Sequence, residues 1–301
     1  MWKQRTDLAL EAAQLWREGA AAGAALPGVE SEEGEREGFP VTTVRILDQA
    51  GAQALGKPAG TYITLELDGL FRREEDAFGR AVRALAGELA PLLPAGTRAP
   101  VLVAGLGNRA ITPDNIGPAA ADHTLVTRHL VEQLPHQFGA CRPGAALAAG
   151  VLGPPGVESG ELIRAVADRL RPACVIAVDA LAARSLSRVC RTVQLADTGI
   201  TPGSGVGNAR AALNAQTLGV PVIAVGAPTV VDGATLAADL RAGAGGGEPD
   251  PEALRAAGAE LMVTPRDIDA RVADLAKVIG YGVSLALQPG LTLEDLDLLL
   301  S

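Results

Sequence analysis

Two aspartates stand where acid/base chemistry is easiest to place. Asp114 ends the run Gly105-Leu-Gly-Asn-Arg-Ala-Ile-Thr-Pro-Asp, and Asp179 ends Val175-Ile-Ala-Val-Asp. Each follows an apolar stretch that reads as a buried strand, and in an open α/β sheet ligands sit in the crevice outside the carboxyl ends of the strands. Two neighbouring carboxylates cannot both ionise readily, so one pKa rises and the pair shares a proton. The ionised member can then activate water while the protonated one donates to a leaving nitrogen. The same two acids could instead hold a divalent ion. Plainer roles compete. Thr112-Pro113-Asp114 has the order of a helix start, with a capping hydroxyl, then proline, then an acid beside the dipole. Asp179 could cap a helical turn, with Arg184 and Arg188 either paired to it or on a solvated face.

A third element, Asp197-Thr-Gly-Ile-Thr-Pro-Gly-Ser-Gly-Val-Gly-Asn208, follows the apolar run Thr192-Val-Gln-Leu195. It matches neither G-x-x-x-x-G-K-[ST] nor G-x-G-x-x-G, so it reads as a loop shaping a substrate cleft rather than a nucleotide site. Ser204 has Pro202 where a nucleophile elbow needs glycine. No H-E-x-x-H occurs, and His123, His129 and His136 do not stack on one helical face, so each is read as structural. Cys141, Cys174 and Cys190 form no C-x-x-C, and Cys174 reads as plain core.

The elements that must carry these residues follow from periodicity. A helix is expected over 6–20, a solvated Gly/Glu-rich loop over 28–38, antiparallel strands at 41–47 and 61–67, and a helix over 74–93. Beyond them strands and helices alternate. Strands are expected at 100–105, 145–149, 173–179, 191–196 and 220–226, with helices at 113–134, 158–170 and 208–218. Ala242–Pro249 reads as a surface loop, and Thr264 as the cap of a last helix running to about Leu287. The pattern predicts an α/β fold of three layers, a mostly parallel or mixed central sheet with helices on both faces. One domain, 8–301, is expected behind a short segment, 1–7.

Composition agrees. Hydrophobic residues are 48% of the 301 and aromatics only 3%, so the core must be aliphatic, as in a parallel sheet covered by helices. A formal net charge of -9 with no basic run argues against direct nucleic-acid binding. No apolar stretch approaches the roughly 18 residues of a membrane span, and the N-terminus lacks the apolar region of a signal peptide. A soluble protein of the cytoplasm is expected.

At these residues the chain resembles the germination proteases of spore-forming bacteria, which degrade small acid-soluble spore proteins. The resemblance lies in Arg5-Thr-Asp-Leu-Ala9, Gly56-Lys-Pro-Ala-Gly-Thr-Tyr-Ile-Thr-Leu65, Gly105-Leu-Gly-Asn108, Thr112-Pro-Asp114, Thr127-Arg-His-Leu130, Asp179-Ala-Leu-Ala-Ala-Arg-Ser185, the whole of Asp197–Asn208, Gly219–Gly226 and Leu261–Pro265. It implies an atypical aspartic endopeptidase related in fold to hydrogenase-maturation peptidases, with Asp114 and Asp179 catalytic and no cofactor or metal. Asn108, Thr112, Arg184, Asp197, Ser204 and Gly205 would support the cleft. It further implies a zymogen that cuts its own Asp7-Leu8 bond, a homotetramer, spore proteins as substrates and residence in the spore core. The segment before Asp7 is short for that family, and Gly150–Gly156 and Leu240–Glu248 depart from its wording. By analogy with maturation peptidases, a metal-dependent mechanism using Asp114, Asp179 and His123 or His129 is the alternative; a non-catalytic spore-protein binder is another.

Overall fold

Strands that are apolar along their whole length form the centre of the sheet. Val101–Leu106 (β4) is buried at every position, Cys174–Ala183 (β6) at all but one, and Val222–Asp232 (β8) at all but its last. Burial on both faces is the mark of strands sandwiched between helical layers. The computed structural model describes residues 6–20, 24–151, 156–207, 210–243 and 261–300.

The other strands are Val29–Arg36 (β1), Phe39–Ile46 (β2), Gly60–Glu66 (β3), Gly144–Gly150 (β5), Thr192–Ala196 (β7) and Met262–Val263 (β9). The order across the sheet is β1-β2-β3-β7-β8-β6-β4-β5, with β9 beside β8. The sheet is mixed. β5, β4, β6 and β8 run parallel to their neighbours in that group, whereas β7, β3, β2, β1 and β9 join antiparallel. Helices lie on both faces. On one, Ala77–Leu89, Ile116–Asp122 and the long Ile268–Leu287 seal the largest cluster, built on Leu85, Val103, Ile176, Val225 and Ile279. On the other, Ser159–Leu170 covers Leu102, Ala104 and Ala177, and Ala9–Gly19 covers Val44, Ile46 and Tyr62. Among the described residues no helix is long and apolar enough to cross a membrane.

Several local expectations give way to tertiary context. The expected loop at 28–38 is the edge strand β1 and its turn. Seven of its eight residues are exposed, so it shows no apolar alternation, yet Arg36 pairs with Phe39 across Glu37-Gly38, both at positive φ. Two positive-φ residues make the turn whose twist suits a hairpin, and a row of glutamates keeps the edge from pairing with other chains. The expected helix 113–134 is broken into a 3-10 turn at Thr112–Asp114 and helices at Ile116–Asp122, Arg128–Gln133 and Pro135–Phe138. Thr112 is not a cap; the residue before that turn is Ile111, and no side chain caps it. Nor does Thr264 cap the last long helix. Its hydroxyl donates to the Thr229 carbonyl at 2.9 Å, and the helix begins at Ile268. Of the expected helix 208–218, the described part is helical only over Ala215–Leu218, where Asn214 and Thr217 form a capping box. Most of the expected surface loop 242–249 lies outside the described residues, as do residues 1–5 and 152–155.

Candidate active site

Asp114 is aimed by a tight loop. Gly107, at φ +115, turns the chain out of β4, and a Cβ there would collide with the Asp114 carbonyl. Asn108 Oδ1 accepts from the Ala110 amide at 3.0 Å, while the Asn108 amide donates to Asp114 Oδ2 at 2.7 Å. The loop thus folds back on the carboxylate it presents. Burial still raises the Asp114 pKa, against the opposing pull of the Asn108 amide and of Arg210.

Asp179 lies in the body of β6, not at its end. The strand continues to Ala183, so the expected helical turn after Asp179 is absent. The cause is that β8 runs on beside it, pairing Asp179 with Gly226 and the following residues as far as Val231, with a bulge after Leu181. Asp179 is 5% exposed, and its carboxylate accepts from the Ala180 amide at 2.9 Å. Burial first, then the charge of Asp114, lifts its pKa well above the ordinary carboxylate value. The Ala180 amide lowers it, Asp7 raises it, and Arg210 lowers it. Asp179 thus feels the charge of Asp114 in a dehydrated place, and an acid so placed resists ionisation.

Both acids line a cavity of about 740 Å³, with Asp7, Glu158, Arg210 and Leu213 among its walls. Arg210 is the cation both acids feel, and it pairs with Glu158 at 3.2 Å. Asp7 enters from the N-terminal segment. Its amide donates to the Ala182 carbonyl at 3.0 Å, and its carboxylate accepts from the Ala182 amide and the Ser204 hydroxyl, each at 2.9 Å. A Cβ on Gly205 would collide with that carboxylate, so glycine is what lets the acid seat. The next residue, Leu8, has no exposed surface. The segment is pinned from behind by Glu11, 1% exposed, which accepts from the Arg184 amide at 2.6 Å and the Ser185 amide at 2.9 Å and pairs with Arg188 at 3.4 Å.

The residues picked from sequence therefore divide. Asp114, Asp179, Asp7 and Gly205 line the cavity, and Ser204 reaches it through Asp7. Asn108 acts through its amide on Asp114. Arg184 meets Glu11 through its backbone, and Arg188 pairs with Glu11 and Glu66. Thr112 and Asp197 are not among the described cavity-lining residues; Asp197 ties β7 to β3, accepting from the Thr61 amide at 2.8 Å. His123 packs against Gly280 of the long helix, and no group of three or more His, Cys, Asp or Glu among the described residues is arranged to hold a metal ion. Arg210, Glu11, Lys57 and Gln194 were not picked out. Gln194 left a trace, a polar residue inside the apolar run Thr192–Leu195, and Glu11 likewise interrupts the apolar face of its helix.

An α/β sheet whose cavity gathers two acids of raised pKa with Arg164 and Arg210 among its walls has the features of a candidate catalytic site. The family model described as germination protease matches residues 9–241. Germination proteases of Caldanaerobacter subterraneus subsp. tengcongensis and Clostridium tetani are 42% and 40% identical to the chain, covering 98% and 97% of it and 98% of each relative. The chain belongs to the germination protease family and is a peptidase. Among solved structures, a hydrogenase maturation protease (HycI) of Thermococcus kodakarensis aligns with 65% of the chain and 98% of its own length, at 17% identity and a TM-score of 0.36.

Proposed function

We propose that this peptidase is an endopeptidase that opens small acid-soluble spore proteins during germination, hydrolysing the peptide bond with Asp114 and Asp179 as a proton-sharing pair. The observation that carries the reading is the common cavity, in which each carboxylate is desolvated and Asp179 feels the charge of Asp114. The stronger upward pull on Asp179 makes it the acid that protonates the leaving amine. Asp114, held by the Asn108 amide, is the base that activates water.

The same reading makes the chain a zymogen cut at Asp7-Leu8. Support comes from the place of Asp7, which seats its carboxylate on the Ala182 amide and Ser204 inside that cavity. Any substrate residue taking this seat would carry an acid followed by an apolar residue. Tetrameric assembly and residence in the spore core belong to this reading and rest on the family alone.

The test is cleavage of a purified small acid-soluble spore protein, with products mapped by mass spectrometry. The wild-type chain should lose its first seven residues and cut the substrate after acidic residues. Asp114→Asn combined with Asp179→Asn should abolish both cuts while leaving the fold intact by circular dichroism. Full cleavage by that double variant would end the proposal.

A further inference from the structure

The backbone around Asp7 is gripped by groups other than those that seat its side chain. The Asp7 carbonyl oxygen accepts from Lys57 Nζ at 2.8 Å and from Gln194 Nε2 at 3.1 Å. The other end of the Gln194 amide, Oε1, accepts from the Ala9 amide at 2.7 Å. One glutamine therefore spans Leu8, bonding the carbonyl before it and the amide after it, and one ammonium is added to the same carbonyl oxygen. Gln194 also stands in register with Asp179. It pairs with Gly226, which pairs with Asp179, so the three form a row across β7, β8 and β6. Two strand spacings, about 10 Å, separate the ends of that row.

Lys57 comes from the turn after the short helix Gln49–Leu55. Burial pulls its pKa down, while the charges of Asp7 and Glu11 pull it up. An amide oxygen carries only partial charge and offsets little of the cost of desolvating an ammonium. A full negative charge on that oxygen would offset far more, and such a charge forms only when the carbonyl is attacked.

We propose that Lys57 and Gln194 are the oxyanion cradle of this peptidase, holding the carbonyl oxygen of the residue that precedes the cut. The inference rests on the reading of Asp7-Leu8 as a scissile bond. Water adds its oxygen to the Asp7 carbonyl carbon and gives one proton to Asp114. The carbonyl π pair moves onto the oxygen, where Lys57 and Gln194 hold it. When the intermediate collapses, that pair re-forms the C=O bond and the C–N bond breaks with its electrons on the Leu8 nitrogen, which takes the proton of Asp179. One water is consumed, one carboxyl and one amine are released, and proton exchange between the aspartates restores the pair.

Lys57→Met and Gln194→Met, each in the full chain, test this. Release of the first seven residues is followed by mass spectrometry, alongside each variant's thermal unfolding midpoint. Removing one oxyanion donor should slow release by about 10²–10³-fold, with the midpoint little changed in Lys57→Met and lowered in Gln194→Met, which also leaves the Ala9 amide without its acceptor. Lys57→Arg, which keeps a cationic donor, should recover at least about a tenth of the wild-type rate. Wild-type rates in both methionine variants would overturn the cradle. So would equal losses with Met and Arg together with a lowered midpoint, since Lys57 would then be only an anchor. The double aspartate variant is run in parallel. If it cleaves too, the failure belongs to the catalytic pair, and the cradle still stands or falls by the Lys57 and Gln194 rates.

Discussion

A buried acid whose pKa is raised makes stability depend on pH in a definite direction. Asp179 has a raised pKa in the folded chain, so between the unfolded value, about 3.9, and the folded one the native state binds the extra proton. Its contribution is therefore complete below the unfolded pKa and is lost as pH rises through the folded one. Asp179→Asn removes the ionisable group, so the variant should unfold at a higher temperature than wild type at pH 8. The two midpoints should converge below about pH 4. Asp114→Asn takes away the charge that repels Asp179 and should flatten part of the same slope. Midpoints of the three proteins from pH 4 to 8 settle the matter; an Asp179→Asn chain no more stable at pH 8 would contradict it. Ser204 bears on recognition instead. Its hydroxyl is one of two donors to the Asp7 carboxylate, and a hydrogen bond to a charged group contributes about 1.5–3 kcal/mol. Ser204→Ala should slow cleavage after an acidic residue by about tenfold or more, with less effect when Asp7 is replaced by Asn. Comparing release rates of the four combinations checks this.

Each aspartate could be picked out because a carboxylate beside an apolar run has few cheap explanations, but the elements around them were only partly legible. The strands β4, β6 and β8 declare themselves by nearly continuous hydrophobicity, whereas β1 does not, since a strand wet on both faces has no pattern to read. The end of β6 was misplaced for a related reason. A polar residue in an apolar run looks like a terminus unless one knows that β8 continues beside it. Glu11 shows the same limit within a helix. It interrupts the apolar face of its helix, but nothing local says what it meets there: two backbone amides and Arg188. That makes the Ala9–Gly19 helix a clamp that fixes both the end of β6 and the segment holding Asp7. Glu11→Ala leaves those buried donors without an acceptor, a change that costs about 3–5 kcal/mol when a buried pair is broken. Chemical denaturation should report a loss of that size. If the loss stays under about 1 kcal/mol, the helix is not the clamp described here.

At the scale of the molecule, the mixed sheet brings together residues that no local pattern connects. Asp7, Lys57, Asp114, Asp179, Gln194 and Arg210 come from six separate stretches, and register across β7, β8 and β6 sets the last contacts. Sequence periodicity carries no information about such long-range pairing, which is why the cavity's acids were legible and their cationic and amide partners were not. Net charge, by contrast, was readable from the start and has a consequence for encounter. The chain carries a formal charge of -9, and once residues 1–7 are released the cavity walls still hold Asp114, Glu158, Glu161 and Asp179 against Arg164 and Arg210. A peptide bearing the acidic residue that the Ala182–Ser204 seat accepts must approach through a field of its own sign, which slows association until salt screens it. The Debye length falls from about 30 Å at 0.01 M to about 8 Å at 0.15 M. Over that range KM for an acidic peptide should fall severalfold while kcat holds, because the dehydrated pair inside the cavity is screened far less than the approach. A neutral peptide of the same length, cut after asparagine, should show little salt dependence in KM. Steady-state kinetics at both ionic strengths decide it: a KM for the acidic peptide that rises with salt would mean that local attraction to Arg164 and Arg210 outweighs the field of the whole molecule.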